Sequence, residues 1–234
     1  MCVSSSRSSA NDGVSEKTSD EHVVLVHGLW MRGFTLMALR KRLERDGFSV
    51  DTFDYASVFH SPIVSTEKLL QRVHLSKSKK IHFVGHSLGG LMVLQALQKE
   101  PELATGRVVC LGTPLRGSAV ARGLSKLPGG SFVIGKNLNI LSDGIERWTG
   151  KHEVGAIAGR LPYGFGVAVG GLSSPHDGTV SVEETKLPGL TDHCIVDATH
   201  SGLPFSDEAA MQTIAFLRLG RFQSGETDRR TSAA

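Results

Sequence analysis

The stretch Ile81-His82-Phe83-Val84-Gly85-His86-Ser87-Leu88-Gly89-Gly90-Leu91 constrains this chain more than any other part of it. An apolar run with no polar alternation reads as a strand buried on both faces, as in a parallel sheet. It ends at Gly85, and a helical pattern starts at Leu88 and runs to about Lys99, where Pro101 stops it. Only two residues separate the strand from the helix, so the turn between them is tight. Gly85 and Gly89 carry no Cβ and allow the two elements to approach closely there. Such a turn pushes the Ser87 hydroxyl out above the end of the sheet. It aims the Leu88 backbone N–H and the positive end of the helix at the same spot, where an oxyanion could develop.

The rest of the sequence repeats this alternation. Strands are expected at 23–27, 48–53, 81–84 and 107–111, with helices at 34–45, 65–75 and 88–99 between them. Gly47 is placed to end the first helix. Later strand candidates are 154–158, 167–169 and 194–196, and either of the first two could join the sheet. A last helix spans 207–219, with Ser206 as its cap and Asp207 and Glu208 at its positive end. Strand-then-helix order predicts an α/β fold, a doubly wound, mostly parallel sheet whose site lies at the carboxyl ends of the strands.

The chain has 234 residues, 40% of them hydrophobic, enough for a sizeable core without disulfides or a structural metal. Residues 1–21 and 222–234 are polar and poor in large apolar groups, which predicts two disordered tails around a domain at 22–221. A net charge of +3 does not argue for nucleic acid. No run of about 18 apolar residues and no apolar leader is visible, so no stable membrane insertion is expected and a cytoplasmic location is. Three cysteines make no disulfide framework. Cys110 and Cys194 sit in apolar runs and read as small buried hydrophobes.

Three motifs, Val26-His27-Gly28-Leu29, Gly85-His86-Ser87-Leu88-Gly89-Gly90 and Gly112-Thr113-Pro114, with the two segments around Asp177 and His200, give the chain its resemblance to the α/β-hydrolase superfamily. Within it, the chain resembles bacterial lipases and esterases. The resemblance implies Ser87 as nucleophile, Leu88 N–H as one oxyanion donor, and Leu29 N–H, after the His27-Gly28 pair, as the other. It also implies an acid at Asp177, in the loop Ser174-Pro175-His176-Asp177-Gly178. By residues alone, Asp192 and Asp197 are rival acids, although Asp197 is only three positions from the base candidate. That base is His200, on the loop after the last strand, where Nε2 can reach Ser87. His193 precedes the strand and falls at its other end. His176 would shape the pocket, His86 would pack beneath the turn, and His27 would be a structural hydrogen-bonder.

Residues 115–165 are glycine-rich, and the resemblance implies a small lid-like insertion there. One helix is expected at 134–148, with Leu138, Leu141, Ile145 and Trp148 on one face, although Gly144 interrupts the pattern. That face either packs on the body or lines a substrate site, and in the second case Trp148 binds substrate. The expected activity is a serine hydrolase acting on a small-molecule or lipid ester, with no cofactor and no metal. A thioesterase or amidase with the same residues, and a non-catalytic binding module on the same fold, are the alternatives. A modest cover predicts activity on several short and medium acyl lengths.

Overall fold

A computed structural model describes residues 21–103, 106–164 and 166–223. Six strands form one sheet: β1 (Glu21–Val26), β2 (Ser49–Phe53), β3 (Lys80–His86), β4 (Val108–Leu111), β5 (Val154–Gly159) and β6 (Asp192–Val196). They lie in the order β2-β1-β3-β4-β5-β6, and every neighbouring pair is parallel. The helices are α1 (Met37–Arg45), α2 (Pro62–His74), α3 (Leu88–Lys99), the short α4 (Ala119–Ser125), α5 (Gly130–Ile134) and α6 (Leu138–Asp143), the single turns α7 (Gly166–Val169) and α8 (Val182–Thr185), and α9 (Asp207–Leu219).

The continuous apolar strands are apolar because both faces of the sheet are covered. Val23 and Leu25 of β1 join one core with Leu39 and Leu43 of α1 and Phe216 and Leu217 of α9. Val24 and Val26 point the other way and join Leu69 and Val73 of α2 and Leu91 and Leu94 of α3. Parallel strands demand crossovers, and helices on both faces are the crossovers.

Local chemistry accounts for the element ends. The Ser61 hydroxyl accepts the Val64 N–H and Pro62 takes the first helical position, so α2 starts three residues before the helix expected at 65–75. Ser206 caps α9 through the Ala209 N–H, and Gly220, at φ 73°, closes it. The expected helix at 34–45 opens instead with a 3-10 turn, Gly33–Leu36, before α1. Residues 167–169 are not a strand. They belong to α7, which Gly170 follows at φ 79°, and it is β5 that takes the place between β4 and β6.

Of the tails expected at 1–21 and 222–234, nearly all lies outside the described residues. Glu21 opens β1. Phe222 is buried, its ring 4.9 Å from Phe216, so the domain reaches at least that far.

One feature of this topology positions the site. From β1 the chain crosses to β2 on one side, then returns to β3 on the other side of β1. Connections diverge at the carboxyl ends of β1 and β3, leaving a crevice there. Val26 pairs with Gly85, so the loops after these two strands emerge side by side.

Candidate active site

Ser87 sits between β3 and α3 at φ 54°, ψ −123°, a conformation that L-residues avoid. It is held by its own N–H to Leu111 O (2.9 Å) and by Gly90 N–H to Ser87 O (3.1 Å). The glycines on either side allow the close packing. A Cβ on Gly85 would lie 2.5 Å from Gly90 Cα, and one on Gly89 would lie 2.2 Å from Val26 O. The turn expected from the sequence spacing is therefore the turn observed.

The structure brings Asp177 and His200 to this serine from two separate loops. His200 Nε2 is 3.1 Å from Ser87 Oγ, and His200 Nδ1 is 2.8 Å from Asp177 Oδ2. The two loops are also joined through the backbone, His200 N–H donating to Asp177 O at 2.8 Å. Asp177 is buried, and its other oxygen, Oδ1, accepts from Thr179 N–H (2.9 Å) and Val180 N–H (2.7 Å). An acceptor-only carboxylate against Nδ1 sets the proton on that nitrogen, leaving the Nε2 lone pair for the serine hydroxyl. Neither rival acid reaches His200. Asp197 pairs with Arg160, and Asp192 accepts from Phe222 N–H.

Leu88 is the first residue of α3, and a helix leaves its first N–H groups without intrahelical acceptors. Leu29, in the loop after β1, borders the same cavity as Ser87 and His200. Buried His27 braces this loop. Its Nδ1 lies 2.9 Å from Gly28 O, its ring stacks on Tyr55 at 4.4 Å, and its carbonyl accepts from the Tyr55 hydroxyl. Leu29 thus borders the cavity beside Ser87, and Leu88 follows Ser87 directly at the start of α3.

The cavity beside Ser87 measures about 190 Å³. Val120, Ala121, Leu124, Ile134 and Leu141 make its far walls, so it is an apolar recess next to a polar end. All five come from the segment 119–141, which supplies the cover expected between 115 and 165. The cover is not built as expected. The helix at 134–148 is cut by Gly135 and Gly144, both at positive φ, and a Cβ on Gly144 would lie 2.2 Å from Gly117 N. The chain therefore turns away after α6. Leu141 faces the cavity, but Trp148 does not. Its ring is buried in the core and its Nε1–H donates to His152 O at 3.0 Å. Trp148 is thus removed from the substrate-binding set. Trp148→Ala is expected to lower unfolding free energy by about 3–5 kcal/mol, as for other buried aromatics. Chemical denaturation checks this, and relative rates on esters of different length should stay in the wild-type ratio.

The remaining histidines have other places. His86 is buried, its ring 4.9 Å from that of His200, and its Nε2 meets His200 O at 3.0 Å. Sequence reasoning placed it under the turn but had no signal for this contact, which joins residues 114 positions apart. His176 Nδ1 accepts from Gly178 N–H and shapes the acid's turn rather than the cavity. His193 meets the Thr185 hydroxyl. Burial, reinforced by nearby His200, pushes His86 down to about 3, and burial, with Lys80 nearby, pushes His82 down to about 4. Both rings are therefore neutral in the fold at pH 7. Below the ordinary value of 6.5, the unfolded chain binds protons that these rings refuse. Their contribution is complete above pH 6.5 and is lost as pH falls towards 4 for His82 and towards 3 for His86. Urea unfolding at pH 7.5 and 5 should show a decline of up to about 1.4 kcal/mol per pH unit for each ring.

Burial raises the Cys110 thiol to about 12 and raises Cys194 too, so neither is a ready nucleophile. Among the described residues, no group of three or more His, Cys, Asp or Glu side chains is placed to hold a metal ion. No helix among them is long and apolar enough to cross a membrane.

Comparison with known proteins bears on this arrangement. No curated protein matches the chain by sequence. Its fold is similar to that of a lipase from Bacillus licheniformis, at 18% identity and a TM-score of 0.67, covering 84% of this chain and 90% of that one. An esterase from Thermogutta terrifontis matches at 15% identity and a TM-score of 0.62, over 84% of this chain and 89% of its own. A metagenomic carboxyl esterase matches at 20% identity and a TM-score of 0.64, over 80% of this chain and 66% of its own. The sequence pattern of the alpha/beta hydrolase family matches residues 23–213, a span that holds the turn at Ser87, the loop of Asp177 and His200. The chain belongs to the α/β-hydrolase family.

Proposed function

We propose that this protein is a serine hydrolase that cleaves carboxylic esters of small molecules. The observation that carries the reading is the line from Asp177 Oδ2 through His200 to Ser87 Oγ, 2.8 and 3.1 Å, ending beside an apolar cavity. In this reading, Ser87 Oγ attacks the acyl carbon while His200 Nε2 takes its proton. The carbonyl π electrons move to oxygen, and the N–H groups of Leu29 and Leu88 bind the resulting oxyanion. As the tetrahedral species collapses, the C–O bond to the alcohol breaks and His200 returns the proton to the leaving oxygen. Water, deprotonated by the same histidine, then releases the acid and restores Ser87. Asp177 keeps the imidazole in the required tautomer and stabilises its protonated form. The aliphatic walls favour an apolar acyl group, since each buried methylene contributes about 0.8 kcal/mol.

A fluorophosphonate probe tests the reading. It should form one covalent adduct, which peptide mass spectrometry assigns to Ser87, and the same protein should hydrolyse p-nitrophenyl acetate. A folded chain that neither takes the label nor turns over any p-nitrophenyl ester would be a binding protein on this fold, and the reading would be wrong.

A further inference from the structure

The substrate cavity has a second cavity as its neighbour. This one measures about 120 Å³ and is walled by Tyr55, Ala56, Ser57 and Phe59 among others. Among the described residues, Trp30 is the one that faces both spaces. Its indole is held in an unusual way for a side chain that is 62% exposed. The backbone is at φ 58°, a region that a bulky residue enters only under constraint. Its N–H donates to Ser57 Oγ at 3.1 Å, tying it to the second cavity's wall. Its Nε1–H donates to Val133 O at 2.8 Å, tying the ring to the cover segment at α5. Asn137, which follows α5, donates in turn to Ser57 O, so the three segments brace one another around the ring.

We propose that Trp30 is a specificity-determining residue, a fixed partition that ends the substrate cavity and restricts the enzyme to esters with short acyl chains. The inference rests on the ester-hydrolase reading above. A space of about 190 Å³ lies below the roughly 300–1,000 Å³ of sites that enclose drug-sized ligands. The space beyond Trp30 would bring the two together to the lower end of that range. With the ring in place, an acyl chain longer than the cavity has to leave methylenes in water. Without it, the chain continues between the two cavities, and each further methylene that is buried raises kcat/KM by about fourfold.

The test compares p-nitrophenyl octanoate with p-nitrophenyl acetate. Trp30 stands next to Leu29, so absolute rates can fall in any variant, and the ratio of the two kcat/KM values is the readout. The wild-type ratio should be low. Trp30→Gly, which suits the positive φ, should raise it by at least about tenfold, the gain from two or three buried methylenes. Trp30→Phe keeps a ring in place and should stay within about threefold of the wild-type ratio, less than one methylene's gain. If Trp30→Gly fails to fold, Trp30→Asn carries the same comparison, because asparagine also accepts this backbone region. A glycine or asparagine variant whose ratio equals that of wild type overturns the partition. So does a wild-type protein that already prefers octanoate. In either of those cases, fluorophosphonate labelling and acetate turnover leave the ester-hydrolase reading standing. Loss of both in the wild type would instead overturn that reading and the partition with it.

Discussion

Ser87→Ala should lower kcat on p-nitrophenyl acetate by at least about 10⁴-fold, with the melting temperature within a few degrees of wild type. The size follows from the chemistry. Without Oγ there is no covalent acyl-enzyme, and His200 has no bound oxygen to activate. What remains is attack by water near the N–H groups of Leu29 and Leu88. The melting temperature should hold because, among the described residues, the hydroxyl's hydrogen bond is with His200 Nε2 and it supports no structural element. The turn itself depends on backbone bonds to Leu111 and from Gly90, and on the glycines at 85 and 89. Alanine keeps all of these. Steady-state kinetics together with differential scanning calorimetry check both halves. A mutant that is folded and nearly as fast as wild type would remove Ser87 from the mechanism.

Asp177→Asn is expected to cost about 10⁴-fold in kcat, as removal of the charge does in other hydrolases with this set of residues. Here the structure supplies a reason beyond lost charge. Oδ1 accepts two backbone N–H groups, from Thr179 and Val180. An asparagine must put its carbonyl oxygen there, because its amide nitrogen cannot accept. Its NH₂ then faces His200 Nδ1 and donates to it. The imidazole proton moves to Nε2, which can no longer take a proton from Ser87. The loss should therefore appear in kcat far more than in KM. Asp197→Asn, whose carboxylate meets Arg160 at the surface, should leave kcat close to wild type. If Asp197→Asn were the crippling change and Asp177→Asn the silent one, the acid would be misassigned.

The parts of this site legible in sequence are those held by contacts close along the chain. Gly85, Ser87 and Gly89 fall within five positions, and with an apolar strand running into the first and a helical pattern leaving the last they read as a tight strand-to-helix turn. Helix α3 runs over the expected residues because the tight turn at Ser87 opens it and Pro101 follows its end. Helix α9 does so because Ser206 and Gly220 mark its ends. His200 was identifiable because it follows the last strand, and strand ends lie on one side of a parallel sheet. Asp177 came from a family likeness and needed the structure to separate it from Asp192 and Asp197. Those two carboxylates are engaged elsewhere by Phe222 and Arg160, which are distant in sequence from the acid's own loop.

Trp148 shows why the cover segment was harder. Its spacing from Leu138, Leu141 and Ile145 fits one helical face, and periodicity says which residues share a face, not which wall that face meets. The run at 167–169 was ambiguous for a similar reason, since three apolar residues suit a strand or a helical turn equally. Trp30 carried no local signal at all. Its role depends on Ser57 and Val133, 27 and 103 positions away. The amino-acid order determined by itself the alternation of strands and helices along the first half of the chain, the turn that presents Ser87, and the ends of α3 and α9, since each depends on sterics and hydrogen bonds within a few residues. The tertiary structure alone decided which acid meets His200, that the cover also turns at Gly135, and which tryptophan borders the cavity. Those outcomes depend on contacts between segments far apart in the chain, and no local pattern encodes the distance between them.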